Sequence, residues 1–372
     1  MGLGAAALAM KRKALTRAGL AFATAAGLAL AGACGTGGDG EGDGDLTVGV
    51  LLPGGGASRF GRFDRPLIEK QLERQCPACP APTIAATSDP AVQRQQLESL
   101  ITRQVDVLVL AAVDPQLLRP SVEAAHRAGI PVVAYDRLAQ GPVSGYVTFD
   151  GATVGRLQGE ALLRALGTKA RSAQIVMMNG ATTDPNAGWF KRGALSVLDG
   201  EVRVGKSYDT VGWRPENAFA DMTGAIAALG ADHIDGVLAA NDSLAGAVVA
   251  ALKAAGADGP PPPITGQDAD LAAVQRIVKG DQYMTVYKPF EPAATAAAKM
   301  AIALGRGETA DSLATRTVGN GTTEDIPAVL LPSVAVTAGD IKGTLVKDGM
   351  YTIGQICTPA LRSACAKAGL TG

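Results

Sequence analysis

The sequence predicts an α/β protein made of two successive doubly wound parallel-sheet lobes. Short apolar runs such as VDVLVLAAV from Val105 show almost no polar alternation, which is the mark of strands buried on both faces of a parallel sheet. Each run is followed by a stretch with apolar residues at helical spacing, and strands that alternate with helices imply parallel crossovers. At 372 residues, 47% hydrophobic and 19% charged, the chain can bury a large core. Its length corresponds to about two domains.

The elements follow in order. LTVGVLLP from Leu46 is a buried strand, and PLIEKQLERQ (66–75) is helical in composition. Asp89-Pro90 supplies an N-cap and a proline at the first helical position, before the apolar face of Leu97, Leu100 and Ile101. The strand from Val105, a helix over 115–128 and the strand IPVVAYD (130–136) complete the first series. A second begins after Phe149: helix 152–166, strand AQIVMMNG, helix 187–198, strand VRVGKSYDT, helix 216–229, strand DGVLAAND and helix 243–256. Pro260–Pro263 mark a loop before a strand at Ile264, and Leu271, Val274, Ile277 and Val278 define a helix leading to a strand that ends near Lys288. No repeat of solenoid length is present.

The N-terminal segment stands apart from this pattern. Lys11, Arg12 and Lys13 precede an Ala-rich apolar run, Ala18–Ala33, so residues 1–33 read as a signal peptide. Met10, directly before the basic cluster, is a second candidate start. Ala31-Gly32-Ala33-Cys34 resembles the lipobox of bacterial lipoproteins, with Ala31 where leucine is more usual. That resemblance implies a lipidated Cys34 on the outer face of the cell membrane, with residues 34–45 as a Gly-rich acidic tether. The alternative, an uncleaved anchor, would need a longer apolar run. In an exported chain the close pairs Cys76/Cys79 and Cys357/Cys365 read as disulfides. CPAC is bracketed by Pro77 and Pro80 and lacks the strand-to-helix context of a redox motif; four cysteines still allow three connectivities.

Enzyme and nucleic-acid classes find little support. A net charge of −1 with scattered Lys and Arg provides no basic stripe for a phosphate backbone. His126 and His233 sit in no metal-ligand spacing, and GxSxG is missing. The letters of a Walker pattern occur in GEVRVGKS (200–207) and those of GxGxxG in GTGGDG (35–40), but the first runs into the expected strand VRVGKSYDT and the second lies in the Gly-rich tether, so neither is properly placed between a strand and a helix. Gly54-Gly55-Gly56 reads as a turn. No cofactor and no metal are expected. Polar groups instead gather just past the strands: Asp136-Arg137, Asp184 with Asn186, Asn241-Asp242, Gln267-Asp268 and Lys288. Strand ends are where open α/β sheets hold ligands. Carboxylates and amide oxygens accept from hydroxyls while Arg, Lys and Asn nitrogens donate to them, a mixture suited to a polyhydroxyl ligand. Asp242, preceding the helix from Ser243, reads as a helix cap. Aromatic residues make up only 4% of the chain, and Phe60 and Trp213 both fall in strand-end loops, where such rings can stack on a pyranose.

The segments YDR (135–137), TDPNAGWFKRGA (183–194), GWRPENA (212–218), ANDSLAGAVVAAL (240–252), GQDADLAAVQRI (266–277) and MTVYKP (284–289) resemble the D-xylose-binding proteins of bacterial ABC transporters, within the type I periplasmic sugar-binding family. The likeness runs from about Leu46 to Lys347, and GQDADLA with MTVYKP is specific to the xylose branch. It implies that Arg59, Asp136 and Arg137 bind a monosaccharide, xylose or a close relative, from the first lobe. Asp184, Asn186, Asn241 and Asp268 would do so from the second, with Lys288 near a crossing and the ring sandwiched by Phe60 and Trp213. The family often has Trp at the place of Phe60, and the loop Gly54–Arg62 is more Gly-rich here.

The resemblance further implies a hinge of three crossings, near 149–151, 283–286 and 328–331. The lobes would then be 46–149 plus 286–328 and 150–285 plus 329–372. A monomer would close on its sugar and present that shape to a membrane permease, with no bond broken. MYTIGQICTPALRSAC departs from shorter members, and its Cys357 and Cys365 are expected to staple a C-terminal helix onto the second lobe. Rival readings are a sugar sensor for a signalling receptor and an exported sugar-modifying enzyme using Asp184 and Asp268. A transcriptional regulator of this architecture would need a helix-turn-helix segment and no export signal.

Overall fold

The computed structural model describes residues 46–55, 58–256 and 260–371. The expected signal peptide, the expected lipidation site Cys34 with residues 35–45, and Gly56 of the glycine turn lie outside the described residues. In the first series β1 (Val48–Pro53), α1 (Arg65–Gln75), β2 (Thr83–Thr87), α2 (Pro90–Thr102), β3 (Val107–Leu110), α3 (Pro115–Arg127), β4 (Val132–Tyr135) and β5 (Gly145–Phe149) follow one another. The second series comprises α4 (Gly151–Leu166), β6 (Gln174–Asn179), α5 (Pro185–Leu198), β7 (Arg203–Asp209), α6 (Pro215–Leu229), β8 (Gly236–Ala239), α7 (Asp242–Ala254), α8 (Leu271–Lys279) and β9 (Thr285–Tyr287). The remainder holds α9 (Phe290–Gly305), β10 (Arg316–Val318), β11 (Ile326–Leu331), β12 (Val334–Val336), α10 (Ile353–Ile356) and α11 (Arg362–Lys367).

The first lobe is a seven-stranded sheet in the order β10-β11-β5-β4-β3-β1-β2, parallel except for β10 against β11. Its strand order reverses between β1 and β3, the switch point at which open sheets leave a crevice. Val50 and Leu52 of β1 point into one core cluster with α9, while Leu51 joins the other with α2 and α3. Burial on both faces explains the unbroken apolar runs. β2 escapes the sequence reading because TIAAT is a half-exposed edge strand with no apolar run to mark it.

The second lobe centres on the parallel sheet β7-β6-β8. The strand expected at Ile264 reduces to one parallel bridge with Val237, since the prolines before it carry no N–H for a ladder. Asp-Pro opens α2, α3 and α5 alike. Asp89, Asp114 and Asp184 each accept a backbone N–H two residues on, with proline at the first helical position. Glycine sets the tightest helix contact: a Cβ on Gly155 of α4 would lie 1.9 Å from the Phe190 carbonyl oxygen of α5.

The crossings fall later than expected at two of three places. β9 pairs antiparallel with β12, and Met284 and Val286 sit in the second lobe's core, whereas Phe290 opens α9 in the first. The return crossing is therefore Lys288-Pro289, not 283–286, and β9 cannot be cut at 286. Likewise β11 stays in the first sheet through Leu331, which moves the third crossing to Pro332-Ser333. Both errors have one cause: these strands are short and apolar, so no sequence signal marks the sheet to which each belongs. Disulfides join Cys76 to Cys79 and Cys357 to Cys365, with Cα separations of 5.3 and 5.9 Å. The second lies wholly within the C-terminal segment, whose Ile356, Cys365 and Leu370 pack on Val274 and Ile277 of α8.

Candidate ligand-binding site

Seven strand-end loops face one another across the gap between the lobes. Arg59 and Phe60 follow β1, and Asp136 and Arg137 follow β4. Asp184 and Asn186 follow β6, Trp213 follows β7, Asn241 follows β8, Asp268 follows the Ile264 bridge, and Lys288 follows β9. All ten line a single cleft, together with Gln267 and Phe190. Each of the ten is at most 8% exposed, so the walls of the cleft lie close against one another.

Ion pairs organise the walls. Arg59 donates from Nε and Nη2 to the two oxygens of Asp64, both at 2.9 Å, and from Nη1 to Asp136 Oδ1 at 2.8 Å. Across the gap, Arg59 Nη1 lies 4.0 Å from Asp268 Oδ1, which Lys288 Nζ approaches to 2.7 Å. Arg137 Nε sits 2.9 Å from Asp184 Oδ2 on the opposite lobe. Burial pushes the Asp136 carboxyl up, but Arg59, Lys288 and Arg137 outweigh it and hold the group below the usual range. The Asp184 carboxyl goes the other way, because its burial is only partly offset by Arg137. Aromatic faces carry the cations: the Arg59 guanidinium is 5.0 Å from the Phe60 ring centre, and Lys288 Nζ is 5.7 Å from those of Phe149 and Phe190.

Several groups have their capacity already committed. Asp184 Oδ1 accepts from Asn186 N at 2.9 Å and Oδ2 from Trp213 Nε1 at 3.1 Å, so Asp184 fixes its neighbours. Asn241 Oδ1 caps α7 through Leu244 N at 2.9 Å, which leaves its amide nitrogen to face the cleft. Asn186 Nδ2 reaches across to the Asp136 carbonyl oxygen at 3.0 Å. By contrast, the buried Asn186 Oδ1 and Gln267 Oε1 have no protein partner, and a buried acceptor left unpaired is costly unless a ligand meets it. Asp136, Trp213, Asp268 and Ala269 have left-handed backbone, with φ of 59°, 57°, 92° and 53°. Strain concentrated in this way belongs to sites where geometry is over-determined.

Two neighbours escaped the sequence reading and a third was given the wrong role. Asp64, wholly buried, is the second partner of Arg59. Phe190, one helical turn beyond Asn186, forms an edge contact with Trp213 at 6.4 Å; the scarcity of aromatic residues could have marked it. Asp242 is not the cap of α7, a role taken by Asn241. It is buried and accepts from Gln282 Nε2 at 2.8 Å, Thr285 Oγ1 at 2.9 Å and Asp270 N at 2.9 Å. It thereby pins the loop that carries Gln267 and Asp268. Among the described residues, no three His, Cys, Asp or Glu side chains are grouped to hold a metal ion.

Residues 48–309 match the periplasmic binding protein domain. The chain belongs to that family. The D-xylose-binding periplasmic protein of Escherichia coli is 38% identical over 273 residues, covering 72% of this chain and 80% of that one. A multiple sugar-binding periplasmic receptor of Rhizobium radiobacter is 34% identical, covering 83% and 92%. Among solved structures, an ABC transporter solute-binding protein of Clostridium phytofermentans with bound β-D-glucose superposes with a TM-score of 0.75 at 31% identity, covering 83% and 99%. The family's type I fold, two doubly wound lobes with a cleft between them, is the architecture described above.

Proposed function

We propose that the protein is the extracytoplasmic sugar-binding subunit of an ABC importer and takes D-xylose, or an aldose close to it, between its lobes. The observation that carries this reading is the pair of unpartnered amide oxygens, Asn186 Oδ1 and Gln267 Oε1, in a cleft of buried, ion-paired Asp, Arg and Lys. Amide oxygens accept protons from hydroxyls, and the flanking cations donate to hydroxyl lone pairs. Every cation is already matched by a carboxylate, which favours an uncharged ligand. Phe60 from the first lobe and Trp213 from the second would take the two faces of the pyranose ring.

Because the contacts come from both lobes, the sugar favours the closed form, and hinge closure at the three crossings would present that form to a membrane permease. The lipid anchor at Cys34 and action as a monomer belong to the same reading. Both oxygens of Asp184 are engaged by Asn186 and Trp213, so it is poorly placed as a catalytic acid, and the sugar would be released unchanged. A broader specificity is the second reading, favoured by the likeness to the multiple sugar-binding receptor and the glucose-bound structure. Such a receptor could also serve a signalling partner.

Calorimetric titration with xylose, glucose, ribose, arabinose and galactose tests the reading. Tight binding of xylose with little glucose affinity supports the narrow form, and comparable affinities support the broad one. No binding of any aldose, with another ligand class raising the melting temperature, would overturn it.

A further inference from the structure

The turn that carries Asp268 is held from outside the cleft. Two successive left-handed residues, Asp268 and Ala269, persist only where their surroundings fix them. Three bonds do so from the body of the second lobe: Asp268 N to Val286 O at 2.9 Å, Ala269 N to Thr285 Oγ1 at 3.1 Å and Asp270 N to Asp242 Oδ2 at 2.9 Å. The Ala269 carbonyl is held differently. It accepts from the Tyr351 hydroxyl at 3.0 Å, and Tyr351 belongs to the C-terminal segment beyond β12.

The Tyr351 ring also reaches the other lobe. It meets Phe63 edge-on, with ring centres 6.0 Å apart at 71°, and the Arg62 guanidinium lies 5.8 Å from its centre. Phe63 in turn stacks on Phe290 at 5.4 Å, just past the Lys288-Pro289 crossing. Arg62 and Phe63 continue the short helical turn that begins at Phe60. A single buried side chain, 3% exposed, thus touches the loop bearing Asp268 and the loop bearing Arg59 without entering the cleft.

We propose that Tyr351 is a positioning residue for ligand binding, its hydroxyl fixing the Asp268–Ala269 turn and its ring seating that turn against Phe63 at the pivot. The C-terminal segment then acts on affinity as well as on stability. This inference rests on the sugar-binding reading above.

Tyr351→Phe keeps the ring and removes only the donor. One lost hydrogen bond of this kind corresponds to a rise in Kd of about three- to tenfold, expected in calorimetry with the best aldose of the wild-type panel. The decisive measurement is a double-mutant cycle with Asp268→Asn. If Tyr351 acts through Asp268, removing its hydroxyl in the Asp268→Asn background changes Kd by less than twofold. A Tyr351→Phe variant that binds within twofold of the wild type overturns the proposal, and so do effects that multiply fully in the double variant. A lower melting temperature of the sugar-free Tyr351→Phe protein with unaltered Kd also overturns it, since that is the result of a purely structural role. Wild-type protein that binds no aldose defeats the sugar-binding reading itself, an outcome separate from these.

Discussion

Asp268→Asn is the perturbation that bears most directly on the cleft. Asparagine has nearly the shape of aspartate and tolerates the left-handed backbone at φ 92°, so the change removes charge without breaking the turn. Asp268 Oδ1 lies 2.7 Å from Lys288 Nζ and 4.0 Å from Arg59 Nη1, and with the sugar bound it would accept from a hydroxyl. Asparagine still accepts through Oδ1, so the loss is the difference between a charged and a neutral hydrogen bond, about 1–1.5 kcal/mol. At about 1.4 kcal/mol per tenfold, that is a rise in Kd of roughly 5- to 12-fold. Lys288 keeps the Asp136 carboxylate as a neighbouring charge, so the sugar-free fold should survive. Isothermal titration with xylose and glucose measures the effect, and thermal melting without sugar controls for folding. An affinity within threefold of the wild type for every sugar bound would show that Asp268 does not contact the ligand.

Other perturbations reach the scaffold. Asp242→Ala strips the acceptor from Gln282, Thr285 and Asp270 N and should lower stability in urea by about 2 kcal/mol or more; an unchanged midpoint would remove Asp242 as the hub of its loop. Gly155→Ala forces α4 and α5 apart at the Phe190 carbonyl. A loss of about 1–3 kcal/mol is expected by denaturation, with weaker sugar binding through the displaced Phe190. Asp136 is held below its ordinary pKa by Arg59 and its neighbours against burial. The stability it contributes is therefore present above the unfolded value and lost as pH falls through the folded one. Urea melts of wild type and Asp136→Asn from neutral pH to about pH 3 should show their difference shrinking with acid; a difference that grows would contradict the pairing.

Much of this architecture is legible because it is local. Asp89-Pro90 announces a helix start within two residues, and VDVLVLAAV reports double-sided burial within nine. Strand-end polar pairs mark the cleft for the same reason, since the direction of each strand fixes where its loop emerges. What escapes is partnership between distant segments. Nothing around Asp64 shows that it clamps Arg59 beneath Tyr135, and Asp242 reads as the cap of α7 until Gln282 and Thr285 arrive to claim it and leave that role to Asn241. The apolar VLL of β11 fits either lobe by composition, and only its register against β5 decides. The residues that the resemblance names line one cleft, but a crossing has no side-chain chemistry to betray it.

The late return of the chain to its first sheet has a consequence for synthesis. β11 adds to β5, with Ala328 beside Tyr146, and β12 then adds to β9. The first lobe cannot finish its sheet, nor the second its β9–β12 ribbon, until residues 326–336 have left the ribosome. Until then β5 is an open edge whose free N–H and C=O groups can recruit another nascent chain. The first lobe is thus completed only when synthesis is almost over, and a product truncated shortly before Ile326 is expected to expose the β5 edge and aggregate rather than act as a weaker binder.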